Sequence, residues 1–393
     1  MDIGRITIIG FGLLGSSLAR VIRDVLPSCR ITACSPSEAT LTQAMALNLA
    51  DEVTTHPENS VKDADMVIIS TPLGVYESIA TAIAPHLPEG AIVTDMGSAK
   101  QHAIDTFFPH LTPEQQILFV PGHPIAGSEK SGVQAGFREI FQGKKVILTP
   151  LPNTSPLALD QVTQLWNLAG SHVEEMDPTQ HDTLYATVSH AIQLTISSYA
   201  IFMDNAKHDP SALLSHPLYQ KFIRISGSNT AMWRDICLAN RKAILCALKA
   251  LHAHFSTLKR LLEENDLGTL ERFMQQAQST REHFPHVLDN AMETSPLSLL
   301  PRLIGCATFS NVSFYDMPHA AGGFLDVTNI VMAEPIPNAA TLSEHRAALL
   351  VHVYNFLEAF DALTYAIEEG KITATETLLN QAHHWYERMT AFR

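Results

Sequence analysis

The stretch Arg5-Ile-Thr-Ile-Ile-Gly-Phe-Gly-Leu-Leu-Gly15 decides the fold. A short β-favouring, mostly apolar run ends in three glycines, and an amphipathic segment follows at Leu14–Leu26. Strand, tight turn and helix in that order form a dinucleotide-binding arrangement. Gly10 permits the turn, Gly12 lets the backbone approach a pyrophosphate, and Gly15 lets helix and strand pack closely. Leu13 and Leu14 open the helix, whose N-terminal amides then face the phosphates. The glycine spacing alone is a weak signal, and a purely structural turn is the alternative. The strand before it and the helix after it favour nucleotide binding.

Outward from that stretch, residues 1–176 alternate short apolar runs with amphipathic ones. Strands are expected at Arg5–Gly10, Arg30–Cys34, Met66–Ser70, Ala91–Asp95, Ile117–Val120, Lys145–Thr149 and His172–Glu175. Helices are expected between them, at Leu14–Leu26, Ser37–Leu49, Val75–Ile83 and Pro156–Leu168. Such alternation predicts an α/β Rossmann-type domain with a doubly wound parallel sheet. Asp177-Pro178 reads as an N-cap followed by proline at the first helical position. From 177 to 393 the pattern is all-α, with long stretches at Ala231–Glu264 and Leu342–Glu369. That part carries a weak internal repeat. At an offset of 105, Arg224-Ile225 falls on Asn329-Ile330, and Arg241–Leu245 falls on Arg346–Leu350. Chance similarity of amphipathic helices is the competing explanation.

The 393 residues include 46% hydrophobic and 17% charged side chains, enough for a large core. A net charge of -14 argues against nucleic acid, whose phosphates reward clustered Lys and Arg. Five cysteines without metal or redox spacing read as reduced core thiols, and a cytoplasmic location is expected. No metal is expected. No apolar run reaches the roughly 18 residues of a membrane span.

The second strand ends in Cys34-Ser35-Pro36-Ser37, where an acid would select NAD through the ribose hydroxyl. Ser35 and Ser37 instead tolerate a 2′-phosphate, so NADP is favoured over NAD; helix capping is the other role open to Ser37. Ser70-Thr71-Pro72 borders the cofactor at the next strand end. Asp95-Met-Gly-Ser98-Ala-Lys100 follows, and Ser98 either orients a catalytic group or caps a helix. Phe119-Val-Pro-Gly-His-Pro-Ile-Ala-Gly-Ser-Glu-Lys-Ser-Gly132 reads as a loop that holds an imidazole in place. His123 is therefore the candidate base for an alcohol that loses a proton as its carbon loses hydride. Glu129 and Lys130 share that loop, where a solvated tip is the bland role. His181-Asp182, Ser189-His190 and Gln193 recur along one helix as a polar face, either a ligand wall or a domain interface. Arg224 sits among apolar neighbours, where a guanidinium calls for an anionic partner, with Lys221 and Lys130 as spare cations.

Together these residues resemble the prephenate/arogenate dehydrogenase family of tyrosine biosynthesis, over roughly residues 5–265. The resemblance is carried by Gly10–Gly15, Asp95–Lys100, Gly122–Gly132, Val188–His190 and Met232–Asp235. It implies a Rossmann domain joined to a helical domain through which two chains dimerise. It implies that His123 bonds the ring hydroxyl of the substrate and that Ser98 orients His123 and the nicotinamide. Arg224 would hold the ring carboxylate, Glu129 would guard the pocket, and His181, Ser189 and His190 would line the substrate-facing helix. Gln193 and Lys221 depart from the common His and Asp at their positions, near the substrate side chain. The expected partners are a small molecule, prephenate or arogenate, and a second copy of the chain. Were the repeat real, the last hundred residues would supply the helices that a partner chain otherwise donates.

Overall fold

Ile6, Ile8 and Ile9 are buried on alternating sides of the first strand, so it lies at the centre of a covered sheet. In the computed structural model, which describes residues 3–128, 130–206, 217–281, 296–312, 319, 322–328 and 337–391, that sheet has six strands. They are β1 (Arg5–Ile9), β2 (Arg30–Cys34), β3 (Glu52–Thr54), β4 (Met66–Ile69), β5 (Ile92–Asp95) and β6 (Phe119–Val120). Their order is β3-β2-β1-β4-β5-β6, and every pairing is parallel. The order reverses beside β1, and ligands of such sheets bind at the carboxyl ends of the strands there. Helices α1 (Leu13–Val25), α2 (Glu38–Ala46), α3 (Pro57–Ser60), α4 (Tyr76–Ile83), α5 (Lys100–Phe107), α6 (Pro113–Gln116) and α7 (Pro156–Leu168) make the connections. Leu18, Ile22, Ile31, Ile68 and Trp166 belong to one core cluster that joins α1, the sheet and α7.

A second sheet holds β7 (Gly122–Pro124), β8 (Lys145–Leu148) and β9 (His172–Glu175). β7 runs antiparallel to β8, and β8 runs parallel to β9. This corrects the expected loop: Gly122-His123-Pro124 is a short strand. Its place at the sheet edge explains how it tolerates proline, which cannot donate to a ladder on both sides. The described residues from Ile125 to Gly132 are irregular, and Gly132 has φ +88°. β3 has no counterpart among the expected strands because it is exposed and lacks apolar alternation.

The chain divides into two compact units, Met1–Asp182 and Thr183–Arg393. Asp177 caps α8 (Pro178–Tyr185), accepting from the amides of Thr179 (2.8 Å) and Gln180 (3.1 Å). A π-helical turn, Ala186–His190, follows and leads into α9 (Ala191–Ala206). The second unit continues with α10 (Pro217–Ser226), α11 (Thr230–Ala239), α12 (Arg241–Glu263), α13 (Leu267–Arg281), α14 (Pro296–Ser310), α15 (Gly322–Thr328), α16 (Ala339–Glu368) and α17 (Ile372–Thr390). The expected helix Ala231–Glu264 is broken at Asn240, whose backbone (φ −108°, ψ 30°) leaves the helical region. Among the described residues no helix is long and apolar enough to cross a membrane.

Candidate active site

The three glycines of the first turn separate by what surrounds them. Gly10 has φ +94°, and a Cβ there would lie 2.4 Å from the Ser70 carbonyl oxygen. A Cβ on Gly15 would lie 2.3 Å from the Gly10 oxygen, so only glycine lets α1 close onto β1. At Gly12 a Cβ would meet nothing within 4 Å, so the backbone is open on that side. The neighbouring strand ends are stitched to the turn: Gly10 N donates to Cys34 O (2.9 Å) and Ser70 N donates to Ile9 O (2.7 Å). Gly12 provides α1 with no side-chain cap, and Leu13 and Leu14 form its half-buried first turn. The Thr71 hydroxyl is buried without a hydrogen-bond partner beside the same turn, and exposed Pro72 follows it. Open amides, a small-residue floor and an orphan hydroxyl fit the pyrophosphate of a dinucleotide. Ser35 is buried and accepts from Ser37 N (3.3 Å), while Ser37 caps α2 through Thr40 N (3.3 Å).

At the end of β5 a fully buried ion pair sets the next strand in place. Lys100 Nζ lies 2.7 and 2.6 Å from the Asp95 oxygens and donates to Gly122 O (2.5 Å). Asp95 also accepts from Tyr76 Oη (2.8 Å), Gly97 N (2.9 Å) and Gly122 N (3.1 Å). Burial pulls the Lys100 amine below its ordinary value, and Asp95 opposes that. Burial, with Asp95 close by, pushes the Tyr76 phenol well above its usual range, so it stays a neutral donor. Both backbone groups of Gly122 are thus held, and His123 follows directly. Ser98 lies half-buried between β5 and α5, and it does not cap the helix. The N-cap is Ala99, and the Asp182 carboxylate takes the capping role by accepting from Lys100 N (2.7 Å) and Gln101 N (3.0 Å).

The same carboxylate anchors a chain of imidazoles. His181 Nδ1 lies 2.9 Å from Asp182 Oδ1, and His181 Nε2 lies 2.9 Å from His123 Nδ1. His181 is fully buried and His123 is half-buried. A carboxylate only accepts, so His181 carries a proton on Nδ1, and in its neutral form it accepts on Nε2. His123 then donates from Nδ1 and carries its lone pair on Nε2. That is the protonation state a general base needs.

The second unit holds the other sequence-derived residues. Arg224 is not in an apolar setting: Phe222, Ile223 and Ile225 are buried on one side of α10, and the Arg224 side chain is 50% exposed on the other. It pairs with Asp326 of α15. Lys221 lies 3.3 Å from the same carboxylate, so it is not a spare cation. Lys130, in the first unit, is exposed. The expected continuous polar face divides. The π turn shifts the helical register; buried His190 accepts from Asn240 Nδ2 (3.3 Å) and packs edge-on against Trp233, with ring centroids 6.0 Å apart. Gln193 is tied to the Ile225 carbonyl (3.0 Å), and Ser189 is half-buried in the turn. Glu129 lies outside the described residues.

Sequence reading missed the Asp95–Lys100 clamp and the placement of His181 behind His123. The available signal was His181-Asp182 immediately after the Asp177-Pro178 cap, an adjacent base and acid at a helix start. Among the described residues no cluster of His, Cys, Asp or Glu could hold a metal ion.

The prephenate dehydrogenase nucleotide-binding domain model matches residues 18–175, and the prephenate dehydrogenase dimerization domain model matches residues 177–276. The cyclohexadienyl dehydrogenase of Zymomonas mobilis is 32% identical over 283 residues, covering 70% of this chain and 94% of its own length. The prephenate dehydrogenase of Bacillus subtilis is 32% identical over 292 residues, 71% of this chain and 76% of its own. Among solved structures, the prephenate dehydrogenase from A. aeolicus in complex with hydroxyphenyl propionate and NAD+ matches with a TM-score of 0.65 and 30% identity, over 72% of this chain and 99% of the other. On these matches the chain belongs to the prephenate dehydrogenase family.

Proposed function

We propose that this protein is a prephenate dehydrogenase, catalysing NAD(P)-dependent oxidative decarboxylation of prephenate to 4-hydroxyphenylpyruvate. The observation that carries the reading is the His123–His181–Asp182 chain, which fixes an imidazole within the same compact unit as a dinucleotide-type strand–turn–helix. When bound, the nicotinamide cofactor supplies the hydride acceptor. His123 Nε2 takes the proton of the ring hydroxyl as the carbonyl forms, and His181 steadies the resulting imidazolium. Loss of the ring carboxylate as CO2 aromatises the ring and makes the step effectively irreversible. Arg224, half-exposed and paired with Asp326, exchanges that partner for the ring carboxylate, and Lys221, Glu129, Ser189, His190 and Gln193 line the substrate side. Ser98 orients His123 by its position at the entry to α5.

The cofactor is held by the turn Gly10–Gly15 and by Ser35, Ser37, Ser70, Thr71 and Pro72. The lack of an acid at 34–37 supports NADP over NAD. The functional division falls near residue 176. The match to a dimerisation domain supports an assembly in which two such helical domains pack together. Five free cysteines support a reducing compartment, the cytoplasm.

Gln193 and Lys221, which replace the common residues of the family, keep arogenate or 4-amino-4-deoxyprephenate open as the preferred substrate. A non-catalytic NAD(P) sensor would have no use for an imidazole with an anchored tautomer. Absorbance at 340 nm with prephenate, then with arogenate, tests the reading. Turnover with one of them is expected, and no turnover with either cofactor would refute it.

A further inference from the structure

Beyond residue 276, where the dimerization-domain match ends, the described residues complete α13 and form α14 to α17. Two helix boundaries recur at one displacement. Leu267 starts α13, and Ile372, 105 residues later, starts α17. Glu263 and Glu368, also 105 apart, end α12 and α16. The turns that follow agree in detail, with left-handed residues at Asn265 (φ +58°) and Gly370 (φ +62°). Buried apolar positions recur in step, as in Ile244 with Leu349, Leu251 with Phe356, and Phe255 with Phe360. The Asn329-Ile330 match lies outside the described residues. The break at Asn240 has no counterpart, since α16 runs unbroken.

Contacts between the two copies are reciprocal. Arg241 of the first donates to the Glu368 carbonyl of the second, and Arg346, its counterpart, donates to the Glu263 carbonyl (2.8 Å). Lys249 reaches the Glu368 carboxylate (2.6 Å), and Tyr354, its counterpart, reaches that of Glu263. Arg234 pairs with Glu376 (3.0 Å), and Ala339 N donates to Glu271 (2.8 Å). Residue i meeting j′ while j meets i′ is the signature of a two-fold interface. Phe255 and Phe360, equivalent to each other, meet directly with ring centroids 5.4 Å apart, as a pair on the axis must.

We infer that the helical unit is a dimer folded within one chain: its second half is a diverged copy of the dimerisation domain that occupies the face where a partner subunit would dock. The 393-residue chain is therefore a monomer in solution. Divergence at the interface favours the internal pairing. Lys221 and Asp326 are equivalent positions and form an ion pair (3.3 Å). Two first copies facing each other would set Lys221 against Lys221, a like-charge contact.

The test uses the full chain and reads mass and cooperativity rather than turnover, so it is independent of the proposed reaction. Light scattering after gel filtration should give 43.1 kDa throughout. The thermal midpoint should be the same from about 1 to about 100 µM, because unfolding of a monomer carries no concentration term. A two-chain particle, or a midpoint that climbs with concentration, overturns the inference.

Discussion

Replacing His181 with phenylalanine isolates what the imidazole chain contributes. The side chain is fully buried, and a phenyl ring of similar size removes the acceptor for His123 Nδ1 without opening a large cavity. Asp182 keeps its two backbone donors, Lys100 N and Gln101 N, so the start of α5 stays capped. With neutral His123 the lost hydrogen bond is worth about 0.5–1.5 kcal/mol, and with the imidazolium about 1.5–3 kcal/mol. Only the difference, about 1–1.5 kcal/mol, raises the barrier, which corresponds to about 5- to 13-fold in turnover. Freed of its partner, His123 also samples the tautomer with a proton on Nε2, which adds roughly another factor of two. We expect kcat to fall about 10- to 30-fold with KM for substrate and cofactor little changed, measured at 340 nm, and a thermal midpoint close to that of the parent. His181 is a positioning residue, and a purely structural role would show as a lowered midpoint instead. An intact midpoint with kcat within twofold of the parent would refute the reasoning.

Arg224→Ala removes a charge-assisted contact of about 1.5–3 kcal/mol, so KM for the dicarboxylate should rise about 10- to 150-fold; an unchanged KM removes the proposed clamp. Gly12→Ala should weaken cofactor binding and leave the melting temperature alone, because its Cβ points into open space, whereas Gly15→Ala forces a 2.3 Å clash and should cost about 1–3 kcal/mol of stability. Equal melts for the two variants would contradict the separate roles. Ser35→Asp should raise the NAD-over-NADP preference about tenfold or more through like-charge repulsion, and a cofactor titration without that shift rejects Ser35 as a ribose reader. Burial lifts the thiols of Cys29 and Cys34 to about 11 and those of Cys237 and Cys306 to about 12, while Cys246 is exposed. A thiol reagent at pH 8 should label Cys246 alone in the native chain. Because the folded values are raised, the stability they confer is full below about pH 9 and is lost as pH climbs through 11 to 12, by about 1.4 kcal/mol per unit and thiol. A flat denaturation midpoint over that window contradicts it.

The central strands and the glycine turn were legible because local rules and tertiary demand agree there. β1 is buried on both faces and carries three isoleucines, and each glycine answers a separate contact. β3 was illegible because an exposed edge strand needs no apolar pattern. β7 was misread because Gly-His-Pro looks like a loop to any local rule, yet an edge strand accepts proline and Asp95 with Lys100 holds the glycine. His123 could be picked out by its setting. Its partners could not, because His181 lies 58 residues away and only the fold brings the two rings together.

The buried Asp95–Lys100 pair shows why such partners escape a linear reading. Two charges with no solvent exposure are weak grounds for stability, since desolvation offsets much of their attraction and an apolar pair of similar volume can serve as well. What an apolar pair cannot do is hold a peptide from both sides. Asp95 takes the Gly122 N–H and Lys100 takes the Gly122 carbonyl, so the residue before His123 is fixed in direction as well as in place. The space around Gly122 completes the restraint, because a Cβ there would lie 3.1 Å from the Asp95 carbonyl oxygen. From the far side, Asp182 caps the helix that begins at Lys100 and orients the ring that orients His123. Two carboxylates thus reach the same imidazole by separate routes, one through its backbone and one through its ring. Lys100 touches both carboxylates, joining the clamp by its amine and the cap by its amide. The placement of His123, the proposed general base, is therefore a property of β5, α5 and α8 together, set by charges that local sequence rules assign to the surface.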